Sequence, residues 1–211
     1  MLLGGVVFAV LYPLDGLLQP LLHVQNLGGD VRRSLETLQQ FGDLSTLILV
    51  ALVIWLLDPP RRTRLVDLFL AALVVVLMCN LLKMGLGRPR PILLDPWSLV
   101  LPWQTYPLPQ TVDGNAITVD THAWQLGHGG LSRLWSMPSS HTAAAVTLAV
   151  FLNHYYPRLK PLLIGLVVIV GSARVILGAH YPSDVVAGAM LAYPVASTIM
   201  NRKTVTQLIL K

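Results

Sequence analysis

Three short stretches of this sequence gather side chains suited to phosphoryl chemistry. The first reads K-M-G-L-G-R-P-R-P over residues 83 to 91 and places Lys83, Arg88 and Arg90 within eight residues. Glycine and proline end a helix and turn the backbone, so three cations with little bulk between them can wrap a dianionic group. The second, M-P-S-S-H-T over residues 137 to 142, has proline followed by hydroxyls, a helix-start signature. Unpaired amides and partial positive charge at such an end suit an anion. Ser139 and Ser140 add donors there, and His141 adds a titratable group. The third, R-V-I-L-G-A-H-Y-P-S-D over residues 174 to 184, sets Arg174 inside an apolar run, His180 in a turn and Asp184 just after Pro182. An arginine within a bilayer costs at least about 2.5 to 3.5 kcal/mol on insertion scales and marks function by default. A helix continued through this stretch puts Arg174 about 9 Å below His180. Asp184 can accept from His180 Nδ1–H, which leaves Nε2 as a nucleophile.

Each stretch alone has a plainer reading: a snorkelling basic collar, ordinary helix capping, a structural His–Asp pair. Together they offer four cations, two histidines and an aspartate, a set fit for phosphoryl transfer if the fold brings them to one place.

The elements that must do so are apolar. Of 211 residues, 54% are hydrophobic and 12% charged, with mean hydropathy +0.64. Soluble domains carry about 25% charged residues, so composition points to a membrane protein. Apolar runs cover residues 2–22, 44–57, 65–82, 141–155, 161–179 and 185–200. Met1 to Leu11 lacks a basic start and an A-x-A cleavage pattern, so the first run is expected to be a retained span. Arg61, Arg62 and Arg64, then Arg158 and Lys160, then Arg202, Lys203 and Lys211 fall on one side of six successive spans, the cytoplasmic side by the positive-inside rule. Both termini are then cytoplasmic, and all three polar stretches meet at the opposite, outer face. Arg32, Arg33, Lys83, Arg88, Arg90, Arg133 and Arg174 lie on that outer side against the rule, with Asp15, Asp30, Glu36, Asp43, Asp95, Asp113, Asp120 and Asp184. Residues 30–41 have amphipathic spacing that suits an interfacial or a connecting helix. The long loop 91–135 holds four of the five tryptophans, Trp97, Trp103, Trp124 and Trp135, which suit the headgroup level.

Several classes drop out. The net charge of +5 is not gathered on one stripe, so nucleic acid is not an expected partner. Cys79 is single, apolar in context and expected to be a buried small hydrophobe. No metal-ligand spacing occurs, and no cofactor is expected. His122 and His128 are expected to be solvated loop residues, and His23 and His154 interfacial ones.

At the three stretches the sequence resembles the type-2 phosphatidic acid phosphatase family, whose catalytic core is shared with vanadium haloperoxidases and bacterial acid phosphatases. Its blocks read K-x6-R-P, P-S-G-H and S-R-x5-H-x3-D. Lys83, Arg90 and Pro91 match the first. Pro138, Ser139 and His141 match the second, with Ser140 in place of glycine. Arg174, His180 and Asp184 match the third, with Ala173 in place of serine. The resemblance implies that His180 attacks phosphorus to form a phosphohistidine and Asp184 fixes its tautomer. His141 then protonates the leaving oxygen and activates water. Lys83, Arg90, Arg174, Ser139 and Ser140 bind the phosphate, with Arg88 an additional substrate-binding candidate and no metal. The expected fold is an all-α membrane protein: a six-transmembrane-helix bundle, one domain over residues 1–211, with a long outer loop between the third and fourth spans. The expected activity is hydrolysis of a lipid phosphate or diphosphate of the phosphatidate, phosphatidylglycerol phosphate, polyprenyl diphosphate or lipid A type. Membrane lipids are its surroundings and a bacterial inner membrane its expected place. A lipid phosphotransferase, or a non-catalytic scaffold or transporter, is the alternative. Nothing in the sequence speaks to oligomeric state.

Overall fold

The structure is a computed structural model that describes residues 2–112, 115–127 and 129–202. Asp113, His128, Lys203 and Lys211, assigned above to loop or membrane sides, lie outside the described residues. The described chain is mostly helical: α1 (Leu2–Leu22), α2 (Gly29–Leu38), α3 (Leu44–Leu57), α4 (Leu65–Gly85), α5 (Ser140–Tyr155), α6 (Lys160–Ile176) and α7 (Pro182–Asn201). Short 3-10 turns at Pro59–Arg64 and Pro157–Leu159 lead into α4 and α6, each opened by proline, whose fixed φ suits a helical start.

Among the described residues, four helical stretches are long and apolar enough to cross a bilayer: Leu2–Leu22, Pro59–Gly85, Pro157–Ile176 and Pro182–Asn201. A fifth is formed if α2 with its following turn and α3, bent by 59° at their junction, cross as one broken span. α5 has 16 residues, just under the lower limit of about 17 for a full crossing. Length and composition thus support four or five of the six expected spans, in a protein integral to the membrane.

The fold is mostly helical, and the stretch between α4 and α5 departs from the all-α expectation. It carries an antiparallel hairpin, β1 (Tyr106–Val112) and β2 (Asn115–Thr121), in register from Tyr106 opposite Thr121 to Val112 opposite Asn115. Pro107 and Pro109 lie two apart in β1, so the two missing N–H groups fall on the same edge, where a proline is tolerated. Leu108 between them points the other way and is buried with Leu131 and Leu134.

The chain divides into two compact units. One comprises residues 1–25, 79–139 and 174–187, and so holds α1, the end of α4, the loop between α4 and α5 and the α6–α7 connection. The other comprises residues 26–78, 140–173 and 188–211. Its core is Leu47, Ala51, Leu68, Leu148, Phe151 and Ala196 with their neighbours, and large side chains such as Leu49, Leu52 and Leu56 face outward, as lipid contact requires.

Candidate active site

Lys83, Arg88, Arg90, Ser139, Arg174, His180 and Asp184 all fall in the first unit. Their placement begins with two glycines. After α4 the chain carries Lys83 at the helix end and then bridges Gly87 to Val100. A Cβ on Gly87 would stand 2.3 Å from that of Ala123, so only glycine lets the cationic turn lie this close to the hairpin-bearing loop. At the other side α6 stops at Ile176, because Gly178 takes φ +71°, a left-handed conformation. The Gly178 N–H then donates to the Val175 carbonyl (2.9 Å) and the Ala179 N–H to the Arg174 carbonyl (3.0 Å), a Schellman closure. The His180 N–H also donates to the Arg174 carbonyl (3.2 Å). The helix expected to run through 179 therefore ends early, and the chain folds back over Arg174 instead of rising about 9 Å above it.

His180 is buried, 1% exposed, and its Nδ1 lies 2.7 Å from the Ser136 carbonyl oxygen. A carbonyl can only accept, so Nδ1 carries the proton and Nε2 of the neutral ring keeps its lone pair. The partner differs from the expected one. Asp184 Oδ2 is 3.7 Å from Nδ1, an ion-pair distance rather than a hydrogen bond. That oxygen instead accepts from Ser136 Oγ (2.6 Å) and from the Tyr181 N–H (2.8 Å). Burial, with Arg174 and Arg90 nearby, outweighs Asp184 and pushes the pKa of His180 down to about 4. The ring is thus neutral at physiological pH.

Arg88 corrects a second expectation. It is fully buried, and its guanidinium donates from Nη1 to Asp184 Oδ1 (2.6 Å) and Ser183 Oγ (2.8 Å). From Nη2 it donates to Asp15 Oδ2 (2.7 Å) and the Pro96 carbonyl (2.5 Å), and from Nε to that same carbonyl (3.1 Å). All five N–H groups are engaged, which leaves none for a substrate. Burial works against its charge, but Asp184 and Asp15 prevail and raise its pKa.

Lys83, Arg90 and Arg174 behave differently. They lie near enough for their charges to act on one another, and Asp184 is the carboxylate that acts on Lys83 and Arg90. Burial lowers the pKa of Arg90, and its buried Nε has no hydrogen-bond partner among the described residues. Positive charge from Lys83, Arg90 and Arg174 thus gathers beside a neutral His180. Ser139 is buried, and its N–H donates to the Asp184 carbonyl (3.0 Å).

Ser140 and His141 open α5 in the other unit, one and two residues along the chain from Ser139. In that unit the charge of His141 acts on Asp43, whose Oδ1 caps α3 by accepting from the Ser45 N–H and hydroxyl (2.9 Å each). Of the remaining histidines, His122 is partly exposed and also held within its loop: its Nδ1 meets the Gln104 carbonyl (2.8 Å) and its ring stacks on Trp124. His23 lies against Gly178, where an added Cβ would come within 3.0 Å of its ring atoms. Ser136, Ser183 and Asp15 join the site without a motif to announce them. Asp15 carries a readable signal all the same, an acid inside an apolar run. Ser136 acts through its backbone carbonyl and a hydroxyl that belongs to no motif, and carries none.

Residues 64–205, more than half the chain, match the sequence profile of the PAP2 superfamily. The chain belongs to that superfamily. This PAP2 chain is 28% identical over 121 residues to a lipid A 1-phosphatase of Rhizobium johnstonii, a match spanning 57% of this chain and 40% of that relative's length. Two crystal structures share its fold. Aquifex aeolicus LpxE superposes with a TM-score of 0.61 at 20% identity, covering 87% of this chain and 92% of that one. A PAP2-type phosphatidylglycerolphosphate phosphatase of Bacillus subtilis gives a TM-score of 0.61 at 18% identity, covering 100% and 96%.

Proposed function

We propose that this PAP2 protein is an integral-membrane lipid phosphatase that works through a phosphohistidine. The observation that carries the reading is His180: its Nδ1 proton is held by the Ser136 carbonyl, so the Nε2 lone pair is available beside three mutually repelling cations. Like charges gathered in a buried or half-buried place call for an anion, and a phosphate group supplies one. Nε2 attacks phosphorus, and Asp184 balances the charge that the imidazole gains as the N–P bond forms. The P–O bond to the lipid breaks, and His141 delivers a proton to the departing oxygen. Water then attacks the phosphohistidine, giving its proton to His141 and releasing inorganic phosphate with His180 restored. Lys83, Arg90, Arg174, Ser139 and Ser140 hold the phosphate oxygens and stabilise charge spread across them.

Membership of the superfamily, with named relatives that act on lipid A and phosphatidylglycerolphosphate, supports a lipid-borne phosphate monoester or diphosphate as substrate. Phosphatidate and polyprenyl diphosphate belong to the same class. The fold is read as six spans in one domain, with the site on the outer, periplasmic side of a bacterial inner membrane. Phosphate release by purified protein across a panel of these four lipids tests the reading. At least one is turned over, vanadate inhibits competitively, and His180→Ala abolishes turnover while the protein stays monodisperse. Turnover retained in that variant overturns the phosphohistidine. Phosphate appearing on a second lipid, with none released, identifies a transferase instead.

A further inference from the structure

The network around Arg88 reaches outside the part of the chain that matches the family. Asp15 lies in α1, well before residue 64, and is fully buried in an apolar helix that is otherwise largely exposed. Its carboxylate accepts from Arg88 Nη2 (2.7 Å), from the Ser183 N–H (3.1 Å) and from the Ser183 hydroxyl. Arg88 lies between two rings, Tyr12 of α1 at 4.8 Å and Tyr181 at 4.4 Å, and spans from Asp15 to Asp184. The Arg88 carbonyl accepts from the Ser136 N–H (3.0 Å), and the Ser136 carbonyl holds His180. One guanidinium is therefore shared by two carboxylates, only one of which faces the candidate nucleophile.

That sharing has an electrostatic consequence. If Arg88 were paired with Asp184 alone, the two would form a neutral pair, and little negative charge would remain to balance a phosphorylated imidazole. With Asp15 present, the Asp15–Arg88–Asp184 triad is net negative by one. We propose that Asp15 is a positioning residue for His180: by taking up charge from Arg88, it leaves Asp184 negative enough to balance the imidazole during phosphoryl transfer. The inference rests on the phosphohistidine reading above and adds to it a helix that the family profile does not include.

The charged groups facing the His180 ring are Asp184 of α7, Arg174 of α6 and Arg90 of the outer loop, with Lys83 of α4 acting on the same cluster. Removing one negative charge from this surrounding disfavours both the imidazolium and the phosphorylated ring. Asp15→Asn is therefore expected to lower kcat at least about tenfold, with KM within about twofold. It should also move the acid limb of kcat/KM to lower pH, because His180 then protonates less readily. Asp15→Glu keeps the charge and should hold the limb at its wild-type position. A merely structural role would lower yield or Tm yet leave the turnover of the folded fraction and the limb unchanged, and that result overturns the inference.

Should Asp15→Asn not fold, Ser183→Ala removes a hydroxyl contact to both Asp15 and Arg88. A smaller change in the same direction supports the proposal, and wild-type kinetics in that variant counts against it. Ring 15N shifts of His180, assigned by their loss in His180→Ala, need no turnover. A titration midpoint lowered by Asp15→Asn supports the electrostatic role, and an unmoved midpoint refutes it. Absence of phosphate release from every lipid by the wild type would sink the phosphatase reading alone, since the 15N titration still decides the role of Asp15.

Discussion

At His180 the proposed chemistry follows from a carbonyl oxygen. Ser136 contributes its backbone, not its side chain, to fix the tautomer, and its hydroxyl holds the neighbouring carboxylate. The residues expected to react are legible in the sequence because K-x6-R-P and R-x5-H-x3-D name side chains at fixed spacing. Their partners are not, because the main chain at Ser136 and the competing donors on Asp184 come together only on folding. A pH prediction belongs here. Burial lowers the His180 pKa from 6.5 to about 4, and the proposed attack needs the neutral ring. Turnover limited by this group is thus fully present above 6.5, persists through pH 5 and is lost as pH falls through about 4. The profile of kcat/KM, corrected for ionisation of the substrate phosphate, should show no His180 limb near 6.5; a limb there would mean the ring is hydrated. The linked stability has the same sign. The unfolded histidine takes up its proton first, so this group erodes stability as pH drops from 6.5 towards 4.

Among the elements, the turn between α6 and α7 decides where Arg174 and His180 meet. Gly178 has φ +71° and His23 packed against the face where a side chain would be. Gly178→Ala should therefore lose stability in two separable parts: about 1 kcal/mol for the left-handed backbone, and a steric part set by the His23 ring. The double variant Gly178→Ala/His23→Ala should recover only the steric part, measured as a Tm in detergent above that of Gly178→Ala and below that of His23→Ala. Equal Tm values for the two Gly178→Ala proteins would show that the ring gives way without cost. Helix positions are legible wherever an apolar run meets proline or charge, as at Leu2–Leu22 and Leu44–Leu57, which the runs match at both ends. The end of α6 is hidden because Val175, Ile176 and Leu177 keep the apolar run going through the residues where Gly178 stops the helix. The hairpin is masked because Pro107 and Pro109 read as loop, although Asp113–Gly114 between two β-rich stretches is itself a hairpin signal.

For the molecule as a whole, charge and span direction make one claim that can be isolated. Only α4 separates the Arg61–Arg62–Arg64 cluster along the chain from the hairpin-bearing loop, and Pro59–Gly85 is one of the four stretches among the described residues that are apolar and long enough to cross. If α4 spans, the basic turn and the hairpin lie on opposite sides of the bilayer, whatever the count of the other helices. The positive-inside rule then puts the arginines in the cytoplasm and the cationic turn of Lys83 and Arg90 outside. Cys79 is buried within α4 and is the chain's one native thiol, so Cys79→Ala gives a clean background. Thr63 and Thr105 are both exposed and flank α4. In intact cells a membrane-impermeant maleimide should label Thr105→Cys, and Thr63→Cys only after permeabilisation. The reverse pattern would turn the site towards the cytoplasm, and labelling of both in intact cells would mean that α4 does not cross. The first outcome requires a substrate whose phosphate is displayed on the outer leaflet, because a head group on the inner leaflet cannot reach Lys83, Arg90 and His180 without crossing the bilayer.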